Sequence, residues 1–275
     1  MIEDTLHKLV PGMVAVLGVP LDENSSFLRG PALAPPRIRE TLHSSSGNWT
    51  TERGTDLSAV DRWLDLGDLS LAHGAQAFAQ IEETIGRLLA REARVLTLGG
   101  DHSITYPILR AYARAYPRLT ILHLDAHPDL YDELDGNRWS HACPFARIME
   151  EGLATRLVQV GVRTINPHQR AQAERFGVEM IEMRHWQRDT DLRLDGPIYL
   201  SLDLDALDPA FAPGVSHHEP GGFSTREIID ILHRLPSPIV GADLVEYNPT
   251  RDLVDMTAMV AAKFYKEIVG RLLEA

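Results

Sequence analysis

Six short apolar segments recur along the chain, at 13–19, 94–98, 119–124, 157–162, 197–202 and 239–245. Each is rich in Val, Ile and Leu and none alternates cleanly between apolar and polar residues. A strand that faces water on one side alternates, so uniformly apolar strands are buried on both faces, as in a parallel sheet. Segments 63–66 and 178–181 carry the same pattern more faintly and are expected as edge strands. Helical periodicity fills several of the gaps. In 74–93, Phe78, Ile81, Ile85 and Leu88 recur every three or four residues. In 225–235, preceded by a cap signal at Ser224–Thr225, the stripe is Ile228, Ile231, Leu232 and Leu235. In 255–273, Met259, Val260, Phe264, Ile268 and Leu272 are expected on one side. Strand–helix alternation with right-handed crossovers gives an open α/β sandwich. The Pro- and Ser-rich stretch 29–54 is expected as a long loop with a short helix near 36–42.

Composition narrows the function classes. With 275 residues and no linker or repeat, a single domain over 1–275 is expected. Hydrophobic residues at 44% and charged residues at 24% exclude a mostly disordered chain. Asp plus Glu number 39 against 27 Lys plus Arg, a net charge of −12 without any basic run, which excludes a nucleic-acid partner. No stretch approaches the ~18 continuous apolar residues of a membrane span. Cys143 is the only cysteine, so no internal disulfide can form and a reducing compartment fits. The acidic start and short apolar run before Pro20 do not read as a signal or transit peptide, so a cytoplasmic location is expected.

Carboxylates and imidazoles gather where three of the apolar runs stop. The stretches are Leu98-Gly99-Gly100-Asp101-His102-Ser103, His123-Leu124-Asp125-Ala126-His127-Pro128-Asp129 and Asp203-Leu204-Asp205-Ala206-Leu207-Asp208. Ligands of open α/β sheets bind outside the carboxyl ends of the strands, where these clusters fall. On extended backbone, residues two apart share a face, so Asp125, His127 and Asp129 can converge, as can Asp203 and Asp205. Together with His102 that makes four carboxylates and two imidazoles, which would repel strongly without cations. The count exceeds one tetrahedral zinc and suits two divalent ions. Oxygen-rich ligation with some imidazole and no thiolate favours Mn²⁺. His123, a lone histidine in an apolar run, is read as a satisfied core residue, and Cys143 as a spectator thiol.

The sequence resembles the ureohydrolases, the family of arginases and agmatinases. The resemblance rests on GGDHS at 99–103, DAHPD at 125–129 and SLDLDALDPAFAPG at 201–214. It extends to GVPLDENSSFLRGPALAPPRIRE at 18–40, SHACPFARIMEEG at 140–152 and VGADLVEYNPTRD at 240–252, and so covers nearly the whole chain. The wording APPRIRE, HPDLYD, PGVSHHEPGG and TAMVAAK is closest to plant-type arginases. The resemblance implies a three-layer α/β/α sandwich with a mainly parallel sheet of about eight strands, and hydrolysis of a guanidino group to urea and an amine. It implies that His102, Asp125, Asp129 and Asp203 bind one manganese and that Asp125, His127, Asp203 and Asp205 bind a second. It further implies that His141 transfers protons, that Glu246 pairs with the guanidinium, and that subunits assemble as trimers or hexamers. Leu204 and Ala206 depart from the usual wording without removing a ligand.

Two metals on one water lower its pKa from about 15.7 toward neutrality, which a poorly electrophilic guanidinium carbon requires of its nucleophile. Asp129 can also accept a hydrogen bond from that water and help move its proton. Two other classes remain open on sequence: a deacetylase-like amide hydrolase, which lacks a counterpart of His102, and a silent regulatory relative, which would have lost ligands. Within the family, L-arginine is the expected substrate, with agmatine or another guanidino or formimino compound as the alternative. The loop from Leu130 to His141 lacks the Asn that reads the carboxylate end in animal-type arginases and has Tyr131 there instead. Tyr131 and Asn137, with Arg138, His217 and His218, are the candidates for reading the far end.

Overall fold

A computed structural model describes residues 3–236 and 238–274. Eight strands form one sheet: β1 (Val14–Val19), β2 (Trp63–Asp68), β3 (Arg94–Gly99), β4 (Thr120–Leu124), β5 (Arg156–Val160), β6 (Glu179–Ile181), β7 (Ile198–Asp203) and β8 (Ile239–Val245). Their order is β2-β1-β3-β8-β7-β4-β5-β6, and every neighbouring pair is parallel. The two faint segments are indeed the edges. The helices are α1 (Glu3–Leu6), α2 (Ala34–Leu42), α3 (Ala75–Leu89), α4 (Thr105–Ala115), α5 (Pro144–Glu150), α6 (Pro167–Phe176), α7 (Thr225–Arg234) and α8 (Met256–Leu273).

The missing alternation has a direct cause. Val14, Val16, Leu96, Leu122 and Leu200 pack into one apolar layer with α2, α7 and α8. Their chain neighbours Ala15, Leu17, Val95, Ile121 and Tyr199 pack into a second with α3, α4 and α5. Alternate side chains thus enter opposite layers, and both layers are apolar. The Ser224 side chain accepts from the Glu227 N–H while the Glu227 carboxylate accepts from the Ser224 N–H, so α7 starts in a full capping box.

Besides the four-residue α1, three helices went unread in the sequence. In α4 the Pro at position three of the helix hides the start, and α5 and α6 are short and begin on proline. The stripe assigned to α8 is also wrong at one end. Met259 is exposed, while Ala258, Ala261, Ala262, Tyr265 and Val269 join Phe264, Ile268 and Leu272 inside. β5 ends before Gly161, which has φ +101° and whose Cβ would stand 2.5 Å from the Phe223 ring.

Candidate metal centre and active site

Four adjacent strands, β3, β8, β7 and β4, deliver their carboxyl ends to one place. His102 follows β3, Glu246 follows β8, Asp203 ends β7, and Asp125 follows β4. The GGDHS turn can close because Gly100 has no side chain: a Cβ there would lie 1.8 Å from the Leu21 carbonyl oxygen. Asp129 and Glu246 hold φ of 48° and 65°, left-handed values that non-glycine residues rarely adopt and that concentrate at functional sites.

The imidazole of His102 is wholly buried, and its Nδ1 lies 3.2 Å from Asp125 Oδ2, 3.1 Å from Asp129 Oδ2 and 3.1 Å from Asp203 Oδ2. Its tautomer follows from the other nitrogen. Ser201 donates its hydroxyl to Asp243 Oδ1 at 2.7 Å and so accepts from His102 Nε2–H at 2.9 Å. Nδ1 is then a bare lone pair, buried without a hydrogen-bond donor and ringed by three carboxylate oxygens. A cation fits that arrangement, and among the described residues no Lys or Arg side chain pairs with those three carboxylates. Next to it, His127 Nδ1 lies 3.0 Å from Asp205 Oδ2 and 3.4 Å from Asp125 Oδ1. Asp125 therefore faces both imidazoles, one with each oxygen.

The electrostatics agree. Burial, then the charges of Asp205 and Asp125, pushes Asp203 well above the usual carboxylate range. Burial likewise pushes Asp205 up to about 6, against the pull of His127. Such groups ionise together only beside positive charge.

A polar row underlies these ligands. Gln159, His123, Ser201 and Asp243 are cross-strand partners in register on β5, β4, β7 and β8. The Gln159 amide donates to His123 Nδ1 at 2.9 Å and to the Pro128 carbonyl at 2.6 Å. His123 is thereby fixed with Nε2–H donating to Asp125 Oδ2 at 2.7 Å. Both ring nitrogens are occupied, so His123 supports a ligand instead of being one. At the other end, Asp243 Oδ2 accepts from the Thr105 and Tyr199 hydroxyls, each at 2.9 Å. Sequence reading passed over Gln159, Ser201 and Asp243. Their signal was there: Ser201 and His123 sit two residues before Asp203 and Asp125, on the same strand face.

Beside the ligands, His141 Nδ1 lies 2.7 Å from Glu246 Oε1, which also accepts the His102 backbone N–H at 2.8 Å. Burial opposes charge on His141, yet Glu246 beside it holds its pKa up to about 9. A cavity of about 190 Å³ is lined by His127, Asp129, Asp203, Asp205, His141 and Glu246, with Tyr131 and His217 also in its wall. Tyr131 accepts from the Asn166 amide at 2.7 Å and stacks on His168. Asn137 is not among the lining residues: its amide oxygen caps the Trp139 N–H at 2.8 Å and its amide nitrogen faces Asn24 Oδ1 at 3.3 Å. Arg138 pairs with Asp132 and Glu150, and His218 is exposed and bonded to the Pro213 carbonyl. Of the far-end candidates, Tyr131 and His217 reach the cavity. Burial pushes the Cys143 thiol up to about 12, as suits a spectator.

The model of the arginase family matches residues 13–270. The chain belongs to the arginase family.

The match sets aside the deacetylase-like alternative, and it makes this arginase-family member a hydrolase acting on guanidino groups. Among curated proteins, the chain is 50% identical over 275 residues to Arginase 1, mitochondrial, of Arabidopsis thaliana, covering 94% of this chain and 80% of that one. It is 31% identical over 264 residues to the agmatinase of Bacillus cereus, covering 93% of this chain and 90% of that one. Among solved structures, the arginase from Medicago truncatula superposes with a TM-score of 0.91 at 42% identity, over 98% of this chain and 96% of that one. The mitochondrial name of the Arabidopsis relative does not fit the cytoplasmic expectation. Among the described residues no helix is long and apolar enough to cross a membrane.

Proposed function

We propose that this chain is an arginase, hydrolysing L-arginine to L-ornithine and urea at a site for two manganese ions. The observation that carries the reading is the bare, buried Nδ1 of His102 facing Asp125, Asp129 and Asp203, with Asp125 shared with His127 and Asp205. His102, Asp125, Asp129 and Asp203 would hold one ion, and Asp125, His127, Asp203 and Asp205 the other. A donor set of carboxylates and imidazoles without thiolate suits manganese. Bound there, the ions supply the Lewis acidity that makes water a nucleophile at neutral pH.

The chain's own groups do the remaining work. Burial works against the Glu246 charge, but His141 and the His102 N–H keep its pKa below the usual range, so it meets the guanidinium as an anion. Asp129 accepts a hydrogen bond from the attacking water and passes its proton on. His141, its pKa raised to about 9 beside Glu246, takes up and delivers the proton that the leaving amine needs. Tyr131 and His217, which line the cavity, would read the far end of the substrate. The preference for arginine over agmatine is supported by 50% identity to a plant arginase against 31% to an agmatinase. The single-domain organisation is supported by the one continuous sheet. Assembly into a homo-oligomer is supported by the neighbouring exposed residues Leu253, Val254 and Met256.

The test is a urea assay of the manganese-loaded chain with arginine, agmatine and guanidinobutyrate, together with metal analysis. A kcat/KM favouring arginine and about two manganese per chain are expected. Preference for agmatine by tenfold or more, about 1.4 kcal/mol, would overturn the substrate, and one tightly bound zinc would overturn the metal assignment.

A further inference from the structure

Residues 22–26 follow β1 and bring Ser26 into the cavity wall, and their course is pinned by buried Asp101, the one charged residue of the GGDHS turn without a place in the site. Asp101 Oδ2 accepts the Asn24 N–H at 3.1 Å and the Ser25 hydroxyl at 3.2 Å. The Asn24 side-chain amide donates to Ser103 Oγ at 3.1 Å, and the Asn24 backbone carbonyl accepts the His141 backbone N–H at 3.1 Å. So anchored, the loop brings Ser26 to the outer nitrogen of His141. The Ser26 hydroxyl lies 2.8 Å from His141 Nε2 and its backbone N–H 3.1 Å from the same atom. His141 is 7% exposed, whereas Ser26 is open to solvent. The inner nitrogen, Nδ1, is on Glu246.

From this geometry we propose that Ser26 is the relay through which His141 exchanges protons with bulk water. The proposal rests on His141 as the proton-transfer group of the hydrolysis. In the outward direction, Nε2–H gives its proton to Ser26 Oγ while the serine's own hydroxyl proton passes to a solvent water. The serine ends unchanged, the imidazole is left neutral with Nδ1–H on Glu246, and the water carries the charge away. The inward direction reverses each transfer. The Ser26 backbone N–H favours the bare form of Nε2, so it assists release. Glu246, Asp101 and Asp129 face the imidazole with negative charge, and the His217 ring packs 5.4 Å from it. These groups hold the proton on His141 until the hydroxyl takes it. Ser26 acts through His141 and is a positioning and relay residue.

The experiment is steady-state kinetics of the manganese-loaded full chain with Ser26→Ala, Ser26→Thr and His141→Asn, in buffers with and without imidazole. Ser26→Ala should lower kcat about tenfold, with KM and metal content within twofold of wild type. Imidazole should restore its kcat in a saturable way, and Ser26→Thr, which keeps the hydroxyl, should recover most of the loss. A Ser26→Ala kcat within twofold of wild type overturns the relay, as does a loss that imidazole leaves untouched and Ser26→Thr shares. Wild-type turnover in His141→Asn would overturn the role of His141 itself. A slow His141→Asn beside a fast Ser26→Ala would overturn the relay alone.

Discussion

Replacing His123 by Phe removes a single hydrogen bond to the carboxylate that faces both candidate metal positions. The change suits the space, because the His123 ring already stacks on Phe145 with centroids 3.9 Å apart. Asp125 has two N–H donors among the described contacts: the His127 backbone at 2.6 Å and His123 Nε2 at 2.7 Å. Losing the second takes a charge-assisted bond worth about 1.5–3 kcal/mol from a buried anion. It also strands one N–H of buried Gln159, at about 1–3 kcal/mol. The first loss frees Asp125 to rotate, and outer partners of this kind typically change metal affinity by about 10–100-fold. That range is about 1.4–2.8 kcal/mol, in agreement with the bond lost. Calorimetric titration of the apo chain with Mn²⁺ measures the first effect, and urea unfolding without metal measures the second. Gln159→Leu, which leaves His123 in place but unlocks its tautomer, should show a smaller loss of affinity. Manganese affinity within twofold of wild type in His123→Phe would refute the reasoning, because the polar row would then play no part in orienting Asp125.

Asp203→Asn should stabilise the metal-free chain, since it removes a buried charge crowded by Asp205 and Asp125, and should abolish manganese-induced stabilisation; thermal melts with and without Mn²⁺ check both signs. The raised pKa of His141, about 9 against 6.5 unfolded, contributes stability fully present below pH 6.5 and lost as pH rises through 9. For the apo chain the loss is roughly 3 kcal/mol at most, and denaturation across that window should show it disappearing in Glu246→Gln. Cys143, buried and with its thiol pushed up to about 12, should resist labelling by a thiol reagent at pH 8 in the folded chain and react at once in denaturant.

Much of the architecture was legible in the sequence because both-face burial leaves a strong mark. Residues that must be apolar on either side of a sheet cannot alternate, and the six inner strands were located from that; the edges β2 and β6 are half-exposed and so carried only a fainter form of the pattern. The unread helices α4, α5 and α6 lacked the signal that found the others: α5 and α6 are short, and prolines stand in the first turn of all three. The site was legible for a related reason. His102, Asp125, His127, Asp129, Asp203 and Asp205 stand where apolar runs break off, and charges at a strand end are visible against an apolar background.

What the sequence determined by itself is therefore local: where strands lie, which residues stand at their ends, and the ligand chemistry those residues offer. Strand order was decided by tertiary structure, which sets β8 between β3 and β7 although some 140 residues separate β3 from β8 in the chain. Only that order brings Glu246 to His102, and only it lines up Gln159, His123, Ser201 and Asp243 across four strands. Each of these is an isolated polar residue in an apolar run, unremarkable alone. Their meaning comes from register, because a hydrogen bond between side chains on neighbouring strands depends on a pairing that no local pattern encodes. The same holds for Asn137 and Ser26. Asn137 looked suited to the substrate and is held by its own loop, while Ser26 drew no reading of its own and stands against His141 Nε2, 115 residues away in the chain.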